Sequence, residues 1–286
     1  MNETYLYRKH LREPLKFFLM IELILVLSLT IGYFGTIIAL RVPITLTIFV
    51  VYVFALIGLS LMVALELVLI YFILYKRFKS ISVLLKEEGL IYTNKNDTQI
   101  ILYTDIEKLE FPSIKYMGGF MKIRYKGKTI LITVVLENIG GLLVSLKSKL
   151  DENNMSHVYH EKKFNSFLKT AVFADDSWDR IYLNVKVQLL THALCTVLTL
   201  IILTFNNLGA LNLIVISASL IAPLMGYLLS ELMFLINGRN RICLTPLLIT
   251  QRNVQYETKL FRILIIGFSI AHLLITLIVS FLFNIL

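Results

Sequence analysis

The stretch KRFKSISVLLKEEGLIYTNKNDTQIILYTDIEKLEFPSIKYMGGFMKIRYKGKTILITVVLENIGGLLVSLKSKLD, residues Lys76–Asp151, decides the fold. It alternates apolar and polar residues and carries charges of both signs, while the sequence on either side is almost pure hydrocarbon. A bilayer leaves no room for exposed, irregular polar backbone, so this island must fold in water with apolar helices entering from both ends.

Working outward, the flanks read as membrane-spanning. Hydrophobic residues make up 57% of the 286 residues and charged residues 16%, with mean hydropathy +0.76. A run of ~20 apolar residues is long enough to cross the ~30 Å hydrocarbon core as a helix. Five regions qualify: Phe17–Leu40, Ile44–Tyr75, Val187–Leu208, Leu211–Ile236 and Ile263–Leu286. The first is too long for a signal h-region and lacks a small-residue cleavage pattern, so it is expected to be a retained anchor. The second, at ~1.5 Å per residue, exceeds the hydrocarbon thickness and is expected to tilt or project into the cytoplasm. Two cysteines, Cys195 and Cys243, give neither a disulfide framework nor a metal spacing.

The net charge of +9 raises nucleic acid as a partner, but its distribution points elsewhere. With the N-terminus in the cytoplasm, segments 1–16, 76–186 and 237–262 share that side and hold 27 of the 28 Lys and Arg residues; Arg41 is the exception. This is the positive-inside bias. The basic character therefore reports topology and anionic lipid rather than nucleic acid. The expected location is a plasma membrane, with the N-terminus and island cytoplasmic and the C-terminus outside.

Within the island the period is two. Strands are expected at Ser80–Lys86 and Leu90–Asn94 around the turn Glu87-Glu88-Gly89, then at Thr98–Tyr103, Asp105–Tyr116, Phe120–Lys126 and Lys128–Val135. Leu136, Ile139, Leu143, Leu146 and Leu150, spaced 3, 4, 3 and 4, mark a closing amphipathic helix. Six short strands and one helix make a small curled sheet or partly open barrel. Two membrane helices followed by this strand order, with Ile-Leu-Tyr-Thr-Asp-Ile-Glu-Lys-Leu (Ile101–Leu109) at its centre and a final helix, resemble the bacterial PH-like domains of the YcxB-like and related membrane families. The resemblance covers roughly residues 17–151. It implies a membrane-tethered β domain without an invariant catalytic residue.

Beyond the island, Tyr159–Thr170 sets Phe164, Phe167 and Leu168 among Lys162, Lys163 and Lys169, a pattern expected of a helix lying in the membrane interface. Asp175-Asp176-Ser177 reads as an N-cap cluster ahead of Trp178, which with Tyr182 suits headgroup depth. Ile242–Thr250 and Val254–Lys259 are candidates for a hairpin around Gln251-Arg-Asn253. Glu66 and Glu231, each in a span followed by basic residues (Lys76-Arg77 and Arg239/Arg241), hint at an internal repeat. Pro223, with Gly226 nearby, is placed to kink the fourth span.

Two sets of residues carry potential chemistry. Glu22, Glu66, His192, Glu231 and His272 lie one per span, six to ten residues from the basic cytoplasmic end of each helix. At 1.5 Å per residue they form one intramembrane polar layer about 9–15 Å deep. Such a layer serves either as a proton or cation site or as a hydrogen-bonded network joining the helices. The second set is Lys122, Arg124, Lys126 and Lys128, which recur every two residues and are expected to project largely from one face of a hairpin. That stripe is either a site for anionic headgroups or a solvated outer face. His157-x-x-His160-Glu161 lacks a third ligand for a metal, and no GxSxG, HExxH, Walker or CxxC pattern occurs.

The expected architecture is an α-helical integral membrane protein of five transmembrane helices with an inserted small cytoplasmic β domain, a PH-like sheet plus C-terminal helix. It divides into a helix pair at 1–75, the PH-like domain at 76–151, an interfacial linker at 152–186 and a three-helix membrane region at 187–286 with a short cytoplasmic loop at 237–262. The expected function is non-enzymatic: an interaction module for lipid or a protein partner, in a scaffold or sensory role, with no catalytic residue, metal or cofactor. The alternative is a small proton- or cation-coupled transporter or channel component.

Overall fold

The computed structural model describes residues 3–39, 42–95, 97–206, 208, 211–238, 242–244 and 247–285. Arg41, Arg239 and Arg241 fall outside them. In chain order the elements are β1 (Glu3–Leu6), α1 (Lys9–Arg12), α2 (Pro14–Ala39), α3 (Leu46–Ile70), a π-helical turn (Tyr71–Tyr75) and α4 (Lys76–Phe78). Strands β2 (Ser82–Leu85), β3 (Gly89–Asn94) and β4 (Asp97–Leu102) follow, then β5 (Ile106–Glu110), β6 (Ser113–Ile114), β7 (Gly118–Tyr125) and β8 (Lys128–Thr133). The remainder is α5 (Ile139–Glu152), α6 (Glu161–Phe205), α7 (Leu211–Gly238), β9 (Ile242–Leu244), β10 (Leu247–Ile249) and α8 (Val254–Ile285). Two compact units result: Met1–Lys16, Leu69–Asp179 and Leu235–Arg252 form the first, and Phe17–Val68, Arg180–Phe234 and Asn253–Leu286 the second.

The first unit contains the polar island, and its strands are antiparallel. One sheet has the order β1-β2-β3-β4; in the other, β7 pairs β5, β6 and β8. Gly89 is required where β3 begins, because a Cβ there would lie 2.3 Å from the Ile101 carbonyl. The β7–β8 hairpin turns through Lys126 (φ 44°) and Gly127 (φ 69°), with Tyr125 opposite Lys128. Two consecutive left-handed residues match the turn that follows the natural strand twist. Leu90, Ile101, Ile106, Met121, Ile123 and Ile132 enter one core with Leu142, Leu143, Leu146 and Leu150 of α5. The 3-4 leucine spacing thus produces the expected closing helix.

Several expectations are revised. The N-terminus supplies a strand: β1 pairs residue for residue with β2, from Glu3 opposite Leu85 to Leu6 opposite Ser82. The stretch expected as one strand at Asp105–Tyr116 breaks into β5 and β6 around Pro112, which cannot donate to a ladder. Within the stretch 152–186, expected as an interfacial linker, residues 161–186 form one continuous helix with the apolar segment after them. Phe164, Phe167 and Leu168 are buried in the core of the first unit. Burying each is worth about 2 kcal/mol, which outweighs a partial insertion among headgroups. Asp175 and Asp176 accordingly lie within α6 rather than at an N-cap. The late hairpin is also shorter than expected: β9 and β10 form their own two-stranded sheet, and Val254–Lys259 is helical. Ile242 and Ile249 of that hairpin pack on the core of the first unit.

The second unit is helical. Among the described residues, four helices are long and apolar enough to cross a membrane: Leu46–Ile73, Glu161–Phe205, Leu211–Ile236 and Val254–Phe283. These fit a membrane location. In α6 the charged residues stop at Lys186, so the apolar, membrane-competent part is the segment after it. Tyr52 of α3 hydrogen-bonds Thr30 of α2, and the Tyr33 hydroxyl donates to the Ile48 carbonyl at 3.0 Å. Pro223 lies inside α7 without ending it. Gly226 admits α8 closely, since a Cβ there would lie 2.7 Å from the Ile265 Cα. Small residues permit this approach in apolar helix pairs.

Candidate functional site

In the basic stripe of the first unit, alternation holds along β7. Lys122 and Arg124 point outward while Met121, Ile123 and Tyr125 are buried. The turn then breaks the series. Lys126 occupies the turn itself, and its Nζ lies 2.7 Å from Asp105. Lys128 stands directly opposite Tyr125, so it belongs to the other face from Lys122 and Arg124. Acidic groups also intervene: Glu110 on β5 lies 3.0 Å from Lys108 and 3.1 Å from Arg124. The Lys108 hydrogen bond, together with Arg124, holds the Glu110 carboxyl below its ordinary value. The four cations therefore do not make one uninterrupted basic face.

A different surface of the same unit stands out. The turn between β6 and β7 carries Ile114, 67% exposed, and Met117, 83% exposed, on either side of Lys115 and Tyr116. Its conformation is fixed from several directions. Tyr116 has φ 63°, donates its backbone N–H to Thr170 Oγ1 at 3.1 Å, and packs edge-on against Phe173 at 5.8 Å. Phe120 N–H donates to the Pro112 carbonyl at 3.0 Å. Gly119 (φ 158°) is needed because a Cβ would meet the Pro112 carbonyl at 2.7 Å. On β4, Ile100 and Leu102 are also exposed, as is Leu131 on β8.

The first unit also holds a charged hub that the sequence did not reveal. Arg8, 2% exposed, pairs with Asp175 and lies 3.9 Å from Asp179. Asp175 also accepts the Gly140 N–H at 3.0 Å, placing a carboxylate at the N-terminus of α5. Arg252 lies 3.0 Å from Asp179 and 3.7 Å from Asp176. His10 stacks on Trp178 at 4.4 Å. Burial pushes Asp175 up to about 7, and burial with the nearby Arg8 pushes His10 down to about 4. The available signal was Asp175-Asp176-Ser-Trp-Asp179-Arg180, too many charges on one stretch of helix to remain unpaired if buried.

In the second unit the five residues of the expected polar layer have separate surroundings. Glu231 of α7 receives both arms of Arg180, Nε at 2.9 Å and Nη2 at 2.7 Å. Arg180 also reaches Glu257 of α8 at 3.4 Å, and its guanidinium lies 4.5 Å from the Phe234 ring centroid. His272 meets Thr199 Oγ1 at 3.2 Å. His192 lies against the Leu220 backbone. Glu22 is half-buried, and its Oε2 has no hydrogen-bond partner among the described residues. Glu66 is exposed on the apolar surface of α3. Arg180 and Glu257 escaped sequence reasoning because each sits just outside its apolar run and their pairing joins residues 77 positions apart.

His157 and His160 are exposed, and no group of three or more His, Cys, Asp or Glu among the described residues is placed to hold a metal. Comparison with family models, with curated proteins and with solved structures finds no match to this chain.

Proposed function

We propose that this chain is a non-enzymatic membrane protein whose β unit, a PH-like module, is held at the cytoplasmic face by five apolar helices for binding to lipid or a protein partner. The observation that carries the reading is the exposure of Ile100, Leu102, Ile114, Met117 and Leu131 beside strands β2–β8 that bury most of their other hydrophobic residues in one core. Projecting apolar side chains on a rigid β scaffold are what a contact surface requires. Two antiparallel sheets followed by a closing helix support the PH-like description. The long apolar helix α2 supports a fifth span. The distribution of Lys and Arg supports the orientation. The separate surroundings of Glu22, Glu66, His192, Glu231 and His272 favour binding over transport through a common polar site.

The test is a photo-crosslinking residue placed singly at Ile100, Leu102, Ile114, Met117 and Leu131 in native membranes. Lipid or protein adducts should form at one or more of these positions above the level at exposed, polar Thr129. Yields equal to Thr129 at all five positions refute the proposal.

A further inference from the structure

We infer that the turn between β6 and β7 is a docking tip for the anionic leaflet of the bilayer that holds the chain's own apolar helices, with Ile114 and Met117 entering the headgroup boundary. The inference rests on the module being an interaction unit, and it names the partner and the surface. The expected basic stripe is interrupted by Glu110 and Asp105; the tip itself, residues 113–119, carries no acidic residue. Residues 111–122 and 162–174 contain no Asp or Glu and carry Lys115, Lys122, Lys162, Lys163 and Lys169. The two stretches are packed together through the Tyr116–Thr170 hydrogen bond and the Tyr116–Phe173 and Phe111–Phe167 ring contacts. Lys163, Thr170 and Phe173 share one side of α6 by their helical spacing. Lys122 stands on the outer face of β7, where the nearest acid in register is Glu110, engaged by Lys108 and Arg124.

Apolar projections accompanied by lysines are an arrangement that an anionic membrane surface binds: the apolar groups enter the boundary while the cations meet the headgroups. An acidic protein would satisfy the lysines but leaves two largely exposed apolar side chains without a reason. The tip is also rigid, so little ordering opposes docking. Its location in the unit favours the chain's own leaflet. Gly119 accepts from Val134 at the end of β8, Leu136 just beyond bridges Tyr7, and Tyr7 packs on Phe78 at 4.8 Å. Tyr7 and Phe78 belong to the segments by which the chain passes into α2 and out of α3. The tip is thus at the end of the sheets where those connections leave.

The full chain is reconstituted in nanodiscs of phosphatidylcholine, alone or with roughly 30% phosphatidylglycerol to supply anionic surface. An environment-sensitive fluorophore is attached at Met117→Cys, or at Ile114→Cys should the first variant misfold, in a Cys195→Ala, Cys243→Ala background. Quenching by lipid spin-labelled near the headgroup should be strong in the anionic discs and weak in the neutral ones. A label at Ile100→Cys should remain unquenched in both. Replacing Lys115, Lys122, Lys163 and Lys169 by Gln should weaken tip docking by about fivefold per lysine that lies near the surface. A label quenched no more than the Ile100 control, quenching independent of phosphatidylglycerol, or concentration-dependent pairing of two chains through the tip overturns the inference. Protein adducts at Ile114 or Met117 in native membranes alongside such a failure would reject the lipid assignment and leave the interaction module standing.

Discussion

Removing the guanidinium of Arg180 should destabilise the second unit by about 3–5 kcal/mol, because a broken buried ion pair leaves charge without compensation. Arg180 is 2% exposed. Its hydrogen bonds to Glu231 at 2.9 and 2.7 Å are bidentate, and it bridges to Glu257 at 3.4 Å, so one side chain ties α6 to both α7 and α8. Charge-assisted bonds of this kind contribute about 1.5–3 kcal/mol each before the penalty of stranding their partners. The perturbation is Arg180→Met, which keeps much of the apolar volume beside Phe234. Arg180→Lys should fall between parent and Met, since an ammonium retains the charge but not the planar fork. The triple variant Arg180→Met, Glu231→Leu, Glu257→Leu should regain most of the loss, because an apolar replacement of a whole buried ion cluster is near neutral. The assay is denaturant unfolding in detergent micelles, followed by helical circular dichroism. If Arg180→Met costs under ~1 kcal/mol, or if the triple variant is no more stable than the single one, the charge-pair reasoning fails and the residue acts through packing.

Two further outcomes follow from the same geometry. Asp175 has its folded pKa raised to about 7, so its contribution is complete below its ordinary value and is lost as pH rises through 7; His10, lowered to about 4, contributes above its ordinary value and loses that contribution as pH falls through 4. The two oppose each other between about pH 4 and 6.5, so unfolding scans of the parent should be nearly flat there, whereas Asp175→Asn should gain stability with rising pH and His10→Phe should lose it, each by up to ~1.4 kcal/mol per pH unit. Equal, flat profiles for both variants would refute this. Gly226→Ala should force α7 from α8 and cost about 1–3 kcal/mol in the same micelle assay, while Gly267→Ala, which meets nothing within 4 Å, should be neutral or slightly stabilising; indistinguishable effects would remove the close approach as the cause.

Much of the first unit was legible because its signals are local. The turn at Glu87-Glu88-Gly89, the two-residue period around it and the leucine spacing of α5 each express a backbone geometry over a few neighbours. Strand β1 was not legible: Glu-Thr-Tyr-Leu is too short to carry a period, and its place is set by β2, some 80 residues away. The continuity of α6 was hidden for a related reason. Its polar half resembles an interfacial segment with an acidic cap until the core and the partners Arg8, Gly140 and Arg252 are in place. The basic stripe failed at the turn, where two left-handed residues reverse the facing that simple alternation assumes.

The long apolar runs, the polar island between them and its strand rhythm are written in the linear chain, because hydrophobic length and period act along it. Which charges meet depends on the folded arrangement. Arg180 with Glu231 and Glu257, Arg8 with Asp175, and the packing of the Ile114–Met117 turn on α6 through Tyr116, Thr170 and Phe173 are products of long-range packing. A side chain's partners are set by the elements folded against it, and burial then decides whether its charge is stabilising, costly or free to bind.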